Sequence, residues 1–206
     1  MGKYFSSNYK NVTYPLDSVK KRGLRNAQVG AVHAIASFFT MNSKQAAITV
    51  MPTGAGKTAV LMLTPYILSK NKVLVVTPST LVRGQIADDF KELLTLRTAN
   101  VFKEAMKRPV VFEMEHMFND EMIKALESAD VIVATPQCAL SLSETEWAVN
   151  NITLVEVDEA HHTPAKTWQQ ILINLGTATH VLFTATPFRL DKKEIKGDIV
   201  YDYPLS

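Results

Sequence analysis

Five short apolar runs rich in β-branched residues constrain the fold more than any other feature: 46–50, 73–76, 131–133, 154–157 and 181–183. None alternates polar with apolar residues, so each reads as a strand buried on both faces, the pattern of a parallel sheet covered by helices. Amphipathic stretches lie between the runs. Val32, Ile35, Ala36 and Phe39 recur at helical spacing, as do Val82, Ile86, Phe90 and Leu93, and again Trp168, Ile171, Leu172 and Leu175. Strand and helix in repeated alternation predict a doubly wound α/β domain. At 206 residues and 47% hydrophobic content the chain can bury one such core. Residues 97–120 give no clear period, although Val110 to Phe112 reads as a possible further strand.

A net charge of +2 does not by itself announce a polyanion partner. The lone cysteine, Cys138, excludes an internal disulfide, and no Cys/His cluster suggests structural zinc. The N-terminus has no apolar signal-peptide core, and no apolar run is long enough to span a membrane. A soluble, cytoplasmic protein is expected.

MPTGAGKT, Met51 to Thr58, follows a predicted buried strand and opens a predicted helix, the setting in which a Gly-rich turn cradles phosphates. Backbone N–H groups of Pro52, Thr53, Gly54, Ala55 and Gly56, apart from the proline, would converge on a nucleotide's phosphates at the positive end of the helix. Gly54 and Gly56 permit the close approach. Lys57 would reach the outer phosphates, and the Thr58 hydroxyl would ligate Mg²⁺. Met51 stands where the strict pattern has glycine. LVEVDEAHH supplies the acidic partner: in a parallel sheet, ligands bind beyond the carboxyl ends of the strands, which puts Asp158 on the rim of the phosphate loop. Asp158 would hold Mg²⁺ through water, and Glu159 would orient and deprotonate an attacking water. The plainer alternative, two carboxylates capping the next helix, loses ground once the phosphate loop is present.

GAGKT, VDEAHH and FTATPFR, in that order, resemble motifs I, II and III of superfamily 2 helicases and translocases of the DEAH-like branch, including the motor subunits of type I and type III restriction enzymes. The resemblance implies a RecA-like ATP-binding domain using ATP and Mg²⁺. LRNAQ resembles the adenine-recognising Q motif, with Gln28 reading the base edge and Arg25 stacking on it or lying nearby. TPSTLVRGQ resembles motif Ia and ATPQ motif Ib, which assigns Thr77, Pro78, Arg83, Gln85, Thr135 and Pro136 to a nucleic-acid backbone. Without the resemblance, ordinary turn and helix-start chemistry explains Thr77, Pro78, Thr135 and Pro136 equally well. By the same resemblance His161 contacts motif III or the nucleotide, and Thr184 and Thr186 couple the nucleotide state to motif II. Arg189 follows just beyond.

The resemblance runs from Leu24 to Arg189. It divides the chain into a leader packed on the domain (1–23), a RecA-like domain (24–190) and the start of a linker (191–206) toward a second RecA-like domain, whose arginines complete the family's ATP site. Nucleic acid, DNA in preference to RNA, is the implied partner. A translocase that does not unwind, a nucleotide-gated clamp and a small-molecule P-loop kinase remain as alternatives; Glu159 and the TAT triplet argue against the kinase. No oligomeric state follows from the sequence.

Overall fold

A computed structural model describes residues 3–41, 44–160, 165–186 and 197–204. Within them lies a seven-stranded, all-parallel sheet: β1 (Ala47–Val50), β2 (Val73–Val76), β3 (Val111–Met114), β4 (Val131–Ala134), β5 (Leu154–Val157), β6 (Thr179–Thr184) and β7 (Asp198–Asp202). Their spatial order is β3-β4-β2-β5-β6-β1-β7. β1, β2, β4 and β5 are buried at every position, as runs without alternation require.

Nine helices cover the two faces: α1 (Tyr4–Asn8), α2 (Asn26–Thr40), α3 (Lys57–Ile67), α4 (Thr80–Glu92), α5 (Leu94–Thr98), α6 (Ile123–Ser128), α7 (Pro136–Ser143), α8 (Glu146–Asn151) and α9 (Ala165–Asn174) among the described residues. Alternate strand residues sort into two cores. Val73, Val75, Val131, Val181 and Phe183 pack under α1 to α5. Ile48, Val50, Leu74, Ile132, Val155 and Leu182 pack under α6 to α9. The helical stripes read from sequence are the buried faces of α2, α4 and α9, with Leu93 just past the end of α4 in the left-handed conformation. No described helix is long and apolar enough to cross a membrane.

Two segments differ from the sequence expectation. Residues 198–202, assigned above to a linker, form β7, which pairs in parallel with β1 at the edge of the sheet. DIVYD is half polar, as an edge strand with one neighbour can be, and that composition resembles a linker's. Between residues 97 and 120 the edge strand β3 emerges, together with a stretch that pairs with the leader.

The leader is held by its aromatics. Phe5 is fully buried, with its ring 4.8 Å from that of Tyr66 on α3 in an edge-on contact. Val12 bridges antiparallel to Phe102, and the Thr13 N–H donates to the Val101 carbonyl at 2.7 Å. Truncating a buried phenylalanine costs about 3 kcal/mol or more. Phe5→Ala should therefore lower the urea midpoint of the whole domain. An unchanged midpoint would mean that the leader detaches before the domain unfolds.

A candidate ATP site on the carboxyl rim of the sheet

The strands end in register, which gathers the following loops on one rim. Val50 pairs with Thr184, Val157 with Leu182, and Val76 with both Val157 and Ala134. Backbone bonds extend the pairing one step further: Met51 N–H to the Thr184 carbonyl at 2.9 Å, Asp158 N–H to Val76 at 2.8 Å, and Ala160 N–H to Phe183 at 2.9 Å. β5 is separated from β1 by β6, so the phosphate loop and the carboxylates are two strand spacings apart, about 10 Å of backbone. Two side chains close that gap. Lys57 Nζ lies 2.5 Å from Glu159 Oε1, with their side chains only 10% and 22% exposed. The residue after Asp158 turns sharply: Glu159 has φ +49°, unusual for a residue with a Cβ, and the turn aims it back across β6.

The loop conformation is built on glycine. Gly54 and Gly56 have φ of +84° and +89°. A Cβ on Gly54 would meet nothing within 4 Å, so open space lies over the turn where phosphate oxygens would be cradled. At Gly56 a Cβ would sit 2.2 Å from Gln28 Nε2. Gly54→Ala and Gly56→Ala should both lose stability, since each puts a Cβ at positive φ, and Gly56→Ala should lose more because it also displaces the Gln28 amide; both should lower ATP affinity, by about tenfold or more. Calorimetric titration with Mg²⁺-ATP beside a urea melt separates the two; equal stability losses would contradict the packing.

Arg25 and Gln28 brace this loop from α2. Gln28 is 6% exposed; its Oε1 accepts the Arg25 N–H at 2.8 Å and its Nε2 donates to the Gly56 carbonyl at 3.1 Å, while Arg25 Nη1 donates to the Gly54 carbonyl at 2.6 Å. Each terminal atom of the Gln28 amide keeps one further hydrogen-bonding capacity. Cavities open on both sides of the pair. One of about 540 Å³ is lined by Arg25, Gln28, Ala59, Thr95 and Thr98, and one of about 370 Å³ by Leu24, Arg25, Asn26, Ala55 and Tyr203. Tyr203 was not singled out in the sequence. It arrives because β7 runs beside β1 and the Tyr203 N–H continues the pairing to the Val50 carbonyl at 3.0 Å, and no local pattern in the sequence marks it.

The carboxylates sit in unequal surroundings. Burial raises the Asp158 carboxyl to about 6, and the neighbouring Glu159 charge adds to the rise against the opposing pull of Lys57. Two residues earlier, Glu156 is fully buried in mid-strand and neither oxygen has a hydrogen-bond partner. Burial and the nearby Asp158 push its carboxyl well above the ordinary range, and the Thr64 hydroxyl, which itself donates to the Val60 carbonyl at 2.8 Å, only opposes this. Burial at this position thus favours the uncharged form of the Glu156 carboxyl. Among the described residues no cluster of three or more His, Cys, Asp or Glu side chains could cage a metal. Mg²⁺ beside a phosphate keeps waters and takes one or two protein oxygens. Asp158 and Thr58 are the residues that could supply those oxygens.

Other predicted site residues fall in several places. Thr184, fully buried, donates to the Thr186 carbonyl at 2.7 Å, and its Oγ1 accepts the Thr186 N–H at 3.3 Å, on the strand between the loop and the carboxylates. Pro78 and Thr135 are half-buried at the starts of the loops after β2 and β4, Pro136 is buried, and Gln85 is exposed on α4. Thr77 is fully buried, its hydroxyl turned to the Ser79 and Ala134 carbonyls at 3.4 Å. Arg83 departs from its assignment to a nucleic-acid backbone. It is 7% exposed, and it binds Glu113 at 3.0 Å, Glu115 at 3.7 Å and the Met114 carbonyl at 3.4 Å. At helical spacing it falls on the face that packs against β3, the strand that was hardest to read. His161 and Arg189 lie outside the described residues.

A glycine-built phosphate loop facing two carboxylates across an all-parallel sheet is the arrangement of a RecA-like P-loop domain. The family model described as "Type III restriction enzyme, res subunit" matches residues 21–189, and the chain belongs to that family, within helicase superfamily 2. A search of curated protein sequences found no match. Solved structures share the fold. The UvsW helicase of bacteriophage T4 aligns with TM-score 0.59 at 18% identity, over 89% of this chain and 59% of that one. A hypothetical ATP-dependent RNA helicase from Sulfolobus tokodaii gives 0.58 at 21%, over 91% and 52%. The Hef helicase domain of Pyrococcus furiosus gives 0.51 at 23%, over 74% and 32%. The chain thus spans less than two thirds of the structures it matches.

Proposed function

We propose that this domain binds ATP with Mg²⁺ and hydrolyses it to drive a helicase or translocase along nucleic acid, DNA in preference to RNA. The observation that carries the reading is the Lys57–Glu159 contact, which brings the phosphate-binding lysine and the would-be base together across β6 with Asp158 beside them. In this reading Lys57 and the backbone of Pro52 to Thr58 hold the phosphates, and Gln28 and Arg25 recognise adenine from the cavities that flank them. Mg²⁺, held by Thr58 and by Asp158 through water, would neutralise charge on the phosphates. Glu159 takes the proton of the attacking water, and Thr184 with Thr186 relay the nucleotide state along β6. Pro78, Gln85 and Thr135, with the backbone of the loops after β2 and β4, face a nucleic-acid strand, and the buried Pro136 starts the helix behind them. His161 belongs to the same coupling. A second RecA-like domain completes the motor with arginines.

Support for a nucleic-acid motor comes from the family and from the helicases that share the fold. Two measurements test it. Mg²⁺-ATP should bind this chain, and turnover should be slow, because the arginine contribution of about 10³ to 10⁵ in rate lies elsewhere. Hydrolysis as fast as in a two-domain form, or phosphoryl transfer to a small acceptor instead of water, would sink the reading.

A further inference from the structure

Charge in this chain is segregated more than its total reveals. Residues 3–25 and 97–108 hold ten of the 22 basic residues and two of the 20 acidic ones, a net charge of +8. The rest of the chain, whose total is +2, therefore carries −6. The fold puts the two segments side by side on the α1–α5 face: the Lys103 N–H donates to the Asn11 carbonyl at 2.9 Å, Asn100 Nδ2 to Arg22 at 2.9 Å, and the Tyr4 hydroxyl to Lys107 at 2.7 Å. Lys10, Lys20, Lys21, Arg22, Lys103 and Lys107 are all exposed, and among the described residues none of them makes an ion pair. Packing this many like charges together costs stability unless an anion screens them.

The same surface holds a ring and a recess. Tyr9 is 46% exposed beside Lys10, and with Lys10, Val12, Tyr14 and Lys103 it lines a cavity of about 380 Å³. A neighbouring hollow of about 600 Å³ shares Tyr9 and Tyr14 and adds His33 and Lys70. The buried Tyr14 hydroxyl has no hydrogen-bond partner. Lysines that can follow a phosphate backbone, with an open aromatic ring beside the hollow between them, fit unpaired bases.

We propose that this leader-borne basic surface binds a single nucleic-acid strand, apart from the loops after β2 and β4 on the carboxyl rim. The proposal rests on the motor reading above and adds a second contact for the strand outside the track.

The test uses the chain without nucleotide and a labelled oligothymidylate of about twenty nucleotides, titrated between about 50 and 300 mM salt. Lys10→Gln with Lys103→Gln should reduce the slope of log K against log salt by about 1.4, at about 0.7 per lost single-strand phosphate contact. Lys124→Gln with Lys166→Gln removes the same charge from α6 and α9 on the opposite face and should leave the slope unchanged. Tyr9→Leu should weaken binding about fivefold or more without changing the slope, since it removes stacking and no charge. Equal slopes for the two lysine pairs would overturn the proposal, and so would losses of the same size on a duplex of equal length with no effect of Tyr9→Leu. Binding to vesicles of phosphatidylcholine and phosphatidylserine that depends on Lys10 and Lys103, while the oligonucleotide is unaffected, would replace the strand with a membrane. If the unaltered chain binds no oligonucleotide at all, the motor reading itself fails; binding that ignores these substitutions fails this inference alone.

Discussion

Glu159→Gln should cut ATP turnover by about 10² to 10⁴ while ATP binds more tightly. The first half follows from the role assigned to the carboxylate: an amide of the same shape can orient a water but cannot take its proton. The second half comes from the geometry. Before nucleotide arrives, Lys57 is paired with Glu159 at 2.5 Å, so incoming phosphates must compete with that carboxylate for the lysine. The amide removes the competitor. A partly exposed ion pair contributes about 1 kcal/mol, which corresponds to a severalfold gain in affinity. Glutamine also keeps the turn at φ +49°, so the fold should be undisturbed. Single-turnover hydrolysis and equilibrium ATP titration on the same variant check both halves. Turnover within a few-fold of the unaltered protein would remove Glu159 as the base, and unchanged affinity would mean the Lys57 contact does not gate phosphate binding.

Much of this site was legible in the sequence because its parts are local. GAGKT between strand and helix needs only a few adjacent residues to specify a phosphate turn, and β1, β2, β4 and β5 carry the continuous apolar runs of strands buried on both faces. What could not be read was set by partners distant in sequence. β7 is an edge strand with no fully buried residue, and only its pairing with β1 distinguishes DIVYD from a tether. Arg83 lies in a segment that resembles a nucleic-acid motif, yet Glu113, thirty residues away on the other edge strand, takes its guanidinium. Gln28 shows the same effect more mildly, since its amide already serves the Gly56 carbonyl. Strand order could not be read either: β6, which ends in Thr184, intervenes between the phosphate loop and the carboxylates.

Lys57→Ala should abolish measurable Mg²⁺-ATP binding, and its effect on pH dependence would identify the cause. In the unaltered chain Asp158 ionises near 6, held up by burial and Glu159 and held down by Lys57. Because only the carboxylate can help hold Mg²⁺, Mg²⁺-dependent affinity should fall as pH drops through about 6. Folding stability should move the other way. An acid whose folded pKa exceeds its unfolded value near 3.8 binds more protons folded than unfolded, so this group contributes most stability at low pH and loses it as pH rises from about 4 through 6. Removing Lys57 takes away a positive charge that lowers Asp158, which should carry the upper end of that window above 6 and deepen the loss at neutral pH. Urea melts of the two proteins between about pH 4 and 8 read this directly. If the two stability profiles run parallel, Lys57 does not act on Asp158 through its charge, and the lost ATP binding must be assigned to the phosphate contact alone.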